Sequence, residues 1–196
     1  MLLERLSLLA VLVLVISTLF LLMSQNWRWS LIALVIQYLA VFVLTLQVWP
    51  FGLAVAELVS GWMAGAVLSA SQSPEAMNDY DTATGSAFVF RLLVAVLVWI
   101  LVFTITPSIT ALIPLPSSLV YGAVLLVGIG LAQLGMSTQP VRVLLGLMTT
   151  LSGFMLFYAA VENSVLVAGL LAVVTLGLGL VGAYLLDTLS GEESEP

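Results

Sequence analysis

Glu57 stands six residues into an apolar stretch that begins at Phe51. If that stretch crosses a bilayer as a helix, a rise of about 1.5 Å per residue puts the carboxyl about 9 Å below its outer boundary. An unpaired carboxylate at the bilayer centre costs about 2.5–3.5 kcal/mol on insertion scales, so such a group either carries a proton or faces polar partners inside a bundle. Both conditions suit proton transfer; an acid that only hydrogen-bonds and locks packing is the structural alternative. Helical offsets put Ala54, Gly61, Ala64 and Gly65 on the same stripe, which directs the acid toward protein. Gly61 and Gly65 form a Gly-x-x-x-Gly pair that permits close helix packing. Hydroxyls and amides in other apolar stretches are candidates for a proton path to Glu57: Gln37, Thr45, Thr149, Thr150 and Thr175, with Gln47 and Ser152 beside them. Each also serves as an ordinary hydrogen bond between helices.

Other chemistries are excluded by residue types. With no Cys and no His, the chain offers no axial His for haem, no thiolates for an iron–sulfur cluster and no ordinary zinc site. No catalytic residue, metal site or cofactor is expected. Ten carboxylates face four Arg and no Lys, giving a net charge of -6. That balance rules out a nucleic-acid face or a polybasic lipid anchor.

The elements that must position Glu57 are membrane helices. Of the 196 residues 62% are apolar and 7% charged, against about a quarter charged in a soluble domain. About 20 apolar residues span a hydrocarbon core of about 30 Å. That length divides the chain into seven spans, at about 5–23, 30–49, 51–70, 87–106, 118–136, 141–161 and 164–186. The first span is too long for a signal peptide and lacks a small-residue cleavage site after it, so it reads as a mature helix. Ser71 to Ser86 forms the longest polar loop, and residues 107–118, with Pro107, Pro114 and Pro116, read as an interfacial turn. Trp27, Trp29, Trp49 and Tyr80 read as interfacial anchors. Seven spans place the termini on opposite sides of the membrane. Arg28, Arg91 and Arg142 fall on one face and Arg5 on the other, which puts the N-terminus outside and the acidic tail in the cytoplasm.

An internal repeat also emerges. Met23-Ser24-Gln25-Asn26-Trp27-Arg28 matches Met136-Ser137-Thr138-Gln139-Pro140-Val141-Arg142 with one insertion. Leu31-Ile32-Ala33-Leu34 then matches Leu144-Leu145-Gly146-Leu147. Glu57 with Gly61 four residues on matches Thr175 with Gly179. The fold expected is an all-α integral membrane protein of about seven transmembrane helices, with a parallel three-helix repeat joined by a linker helix. Residues 1–70 are the first repeat and 118–186 the second. Residues 71–117 hold the polar loop, linker helix and Pro-rich turn, and 187–196 form an acidic tail. Three spans invert the chain, so a fourth is needed before a second copy can insert in the same orientation.

These motifs resemble two copies of the three-helix K subunit of respiratory complex I, as in the hydrogenase-4 component E branch of complex-I-like membrane modules. In that family the second helix begins Leu-Ile-Gly-Leu-Glu and the third carries Ala-Ala-Glu with Gly four residues on. Val35 and Met148 stand where the second-helix glutamates would be, and Thr175 replaces the third-helix glutamate of the second copy. Glu57 alone is retained. The resemblance implies a non-catalytic membrane subunit of a complex-I-like or group 4 hydrogenase-type ion-translocating complex. It would sit in a bacterial or archaeal cell membrane, with other membrane subunits as partners and redox chemistry left to them. A stand-alone small-solute or ion transporter with a midplane site at Glu57, and a purely structural assembly subunit, are the alternatives.

Overall fold

The computed structural model describes residues 2–24, 26–71, 85–112 and 115–192. They form seven α-helices: α1 Leu2–Met23, α2 Trp27–Thr45, α3 Phe51–Ala70, α4 Gly85–Leu112, α5 Ser117–Met136, α6 Pro140–Val161 and α7 Val165–Glu192. Each contains a stretch long and apolar enough to cross a membrane. The chain is therefore an all-helical integral membrane protein in contact with the lipid bilayer. Helices dominate because a segment in hydrocarbon must pair its own N–H and C=O groups, and a helix does so within itself.

Two boundaries differ most from the sequence expectation, while α2 covers Trp27–Thr45 where 30–49 is expected. The turn expected over residues 107–118 is much shorter, because α4 runs through Pro107 to Leu112. The proline removes one hydrogen bond, to the carbonyl of Phe103. A break among apolar residues in lipid would leave several backbone groups unpaired, which costs more. Pro114, like Tyr80 and most of the polar loop, lies outside the described residues. α7 likewise continues to Glu192, so Asp187 and its neighbours extend a helix rather than begin a tail.

The helices form two facing layers. α1, α2 and α3 make one and α5, α6 and α7 the other, with α1 against α5, α2 against α6 and α3 against α7. α4 packs on the α1–α5 edge. Only 11% of its apolar window is buried, so most of its surface faces outward. Facing helices run in the same direction. Gln37 meets Thr149 between α2 and α6, and just beyond the ends of these helices Trp49 meets Glu162, while Ala64 meets Gly179 and Leu68 meets Gly182 between α3 and α7. Small residues let the last pair approach closely: a Cβ on Gly179 would stand 2.8 Å from the Ala64 Cα. Adjacent helices within a layer are antiparallel, as Tyr38 on Gly61 and Leu34 near Gly65 show for α2 and α3.

Candidate functional site

Four helices bring a layer of polar side chains to the middle of the bundle. α2 contributes Gln37 and Tyr38, α3 Glu57 and Ser60, α6 Thr149 and Ser152, and α7 Thr175. None is more than 4% exposed. Counted from the start of each helix, they lie about 9–18 Å deep, within the middle of a hydrocarbon core of about 30 Å. An ionisable residue such as Glu57 inside a membrane span is a candidate functional group.

The hydrogen-bonding state of this layer is uneven. The hydroxyls of Ser60, Ser152 and Thr175 donate to carbonyls of their own helices, at Glu57, Met148 and Leu171, over 2.9–3.0 Å. Their hydrogens are thereby committed, and what they offer a neighbour is lone pairs. Gln37 Nε2 donates to Thr149 Oγ1 at 3.4 Å, a long bond that joins the two layers. Three buried atoms have no hydrogen-bond partner: Glu57 Oε2, Tyr38 OH and Gln37 Oε1. The Tyr38 phenol lies beside Ser152 and within electrostatic reach of Glu57. Among the neighbouring side chains Tyr38 lies within electrostatic reach of the Glu57 carboxyl, and its phenol can both donate and accept a hydrogen bond.

Gly61 serves this geometry in an unexpected way. A Cβ at that position would overlap the Tyr38 ring, whose Cζ would be 2.6 Å away. Gly61 is therefore the notch that lets the ring lie across α3 and bring its hydroxyl toward Glu57. Gly65 is different: a Cβ there would meet only Leu34 Cδ2, at 3.9 Å. The two glycines face α2, and the close approach of helix backbones occurs instead between Ala64 and Gly179.

The expected path residues separate into two groups. Glu57, Gln37, Thr149 and Thr175 belong to the buried polar layer. Thr45 lies about 12 Å from Gln37 along α2 and donates to Phe42 O. Thr150 turns toward α5, against Gly130, and donates to Gly146 O. Gln47 is at the end of the bundle, where it accepts a hydrogen bond from Ser118 at 3.3 Å. Arg91 lies in α4, which packs against α1 and α5 rather than α3. Tyr38 and Ser60 were not anticipated. Tyr38 carries a signal in hindsight, a phenol next to Gln37 at the centre of an otherwise apolar span.

Trp49 departs from its expected interfacial role. It is 4% exposed, its Nε1 donates to Glu162 O at 3.1 Å, and its ring packs edge-on against Tyr158. Trp27 is buried as well, whereas Trp29 is exposed. Among the described residues no group of His, Cys, Asp or Glu is placed to hold a metal ion. Comparisons with protein-family models, with curated proteins and with solved structures give no match.

Proposed function

We propose that this chain is a non-catalytic membrane subunit of a complex-I-like or group 4 hydrogenase-type ion-translocating assembly, with Glu57 as a proton-loading group. The observation that carries this reading is the buried carboxyl of Glu57, one oxygen unpartnered, in a polar layer drawn from four helices at mid-depth. A carboxyl so placed can hold a proton out of water and exchange it with Tyr38 or with water held along the layer.

The two-layer packing supports the duplication on which the resemblance rests. Facing helices are those the repeat pairs with one another, and they run in the same direction. The contacting positions are not equivalent ones. Thr149 faces α2, yet the position matching it under the Leu31–Leu144 alignment is Ile36, which is 42% exposed. The units therefore meet through different faces, a head-to-tail arrangement that leaves one face of each open. Such stacking suits a place in a lateral row of membrane subunits. The same location, at the interface of two repeats, also fits a stand-alone transporter, which is the second reading.

Gentle detergent extraction from native membranes separates the two. The assembly reading expects the chain to co-elute with large membrane subunits and a peripheral redox arm. A discrete monomer or homodimer, with no redox subunit after mild extraction, contradicts it and favours the transporter.

A further inference from the structure

We propose that the groove between α2 and α3 is a binding site for one anionic phospholipid, with its phosphate at Arg28 and an acyl chain along the groove. The groove has a volume of about 790 Å³. Leu31, Ile32, Val35 and Ile36 form one wall, and Gly65 and Ala66 the other. Gly65 and Ala66 make the slot by lacking bulk. At its mouth are Trp27 and Arg28 from the start of α2 and Ser69 from the end of α3, brought to one membrane face by the antiparallel packing. The guanidinium lies 5.6 Å from the centroid of the Trp27 ring, which holds it at the mouth. Its five donors in a planar fork match a phosphate and can serve more than one acceptor.

The depth of the groove argues for a lipid rather than a neighbouring helix. From Arg28 to Ile36 it descends about 12 Å, and from Ser69 to Trp62 about 10 Å. Trp62 lies at that deep end, pinned by the hydrogen bond from its Nε1 to Val35 O at 3.2 Å. A packed helix needs a groove across the whole core of about 30 Å, whereas a lipid occupies one leaflet, half of it. The sign of the headgroup follows from charge. The chain carries a net charge of -6, so a general attraction to anionic lipid is absent and selectivity must come from a local cation at a fixed place. Arg28 is that cation. This site is independent of any role for Glu57, which does not line the groove.

The test uses the purified full chain, delipidated in mild detergent and titrated with dioleoyl phosphatidylglycerol or dioleoyl phosphatidylcholine, with bound lipid counted by native mass spectrometry. Phosphatidylglycerol should bind roughly tenfold more tightly, because the choline ammonium of phosphatidylcholine offsets the phosphate charge that the guanidinium attracts. Arg28→Gln should abolish that preference while leaving the chain helical, since the side chain is exposed. Ala66→Phe, which fills the slot from an exposed position, should lower binding of both lipids. Arg142→Gln, at a different arginine near the same membrane face, should leave the preference intact. Equal binding of the two lipids by the wild type, or a preference that survives Arg28→Gln, overturns the proposal. So does binding indifferent to Ala66→Phe, the result expected if the groove instead receives a neighbouring helix.

Discussion

Replacing Gly61 by alanine adds one methyl group where the Tyr38 ring already lies. Three ring atoms stand within contact of that position, and Tyr38 is 1% exposed, so the ring has no outward escape. Overpacking a closed site of this kind typically costs about 1–3 kcal/mol. Gly65→Ala adds the same group on the same helix face, where its nearest neighbour is a Leu34 methyl at 3.9 Å. There the change is neutral, or stabilising by up to about 1 kcal/mol through helix propensity. The propensity gain is common to both positions, so the two substitutions should differ by the overpacking cost, about 1–3 kcal/mol. Reversible unfolding in bicelles, followed by steric trapping or by tryptophan fluorescence, measures both. Tyr38→Ala provides the control, because with the ring gone Gly61→Ala should lose most of its cost, a coupling of about 1–3 kcal/mol in a double-mutant cycle. Equal effects of the two glycine substitutions would refute the assignment of Gly61 to Tyr38. They would return the pair to an undifferentiated small-residue packing stripe.

Other consequences are checked more simply. Trp49→Phe keeps the edge-on ring contact with Tyr158 but removes the donor to Glu162 O, and should cost about 0.5–1.5 kcal/mol of stability in the same unfolding assay. Tags at the two termini should be accessible from opposite sides of the membrane, the C-terminal one from the cytoplasm, as protease protection will read. Both tags on one side would remove the seven-span topology.

The seven spans were legible because composition alone forces them: an apolar run of about 20 residues has few alternatives. The ends were less so. Rules that stop helices at proline come from chains in water, where a broken helix can bond to solvent; an apolar segment in lipid has no such alternative, and α4 runs on through Pro107. The burial of Glu57 was legible from its stripe, since residues three and four apart share a face whatever the neighbour is. Which helix that face meets was not. Spacing could not tell that Gly61 makes room for an aromatic ring on α2 while Gly179 admits the backbone of α3. Tyr38 escaped notice because a lone tyrosine in an apolar span reads as packing until the neighbouring helix puts a carboxylate beside it. Trp49 was misassigned because the short turn Leu46–Trp49 folds inward against the α6–α7 connection, a tertiary contact invisible to a positional rule.

The central claim is that the Glu57 carboxyl loads and releases a proton, and Glu57→Gln tests it most directly. The amide keeps the size and much of the hydrogen bonding of the acid but cannot ionise. The measurement is ion translocation by the whole assembly in proteoliposomes, wild type against variant, normalised to equal electron flux. The account predicts that the Gln variant assembles at normal levels and that translocation per electron falls. Equal translocation at equal flux would contradict it and leave Glu57 as a packing residue in a structural subunit.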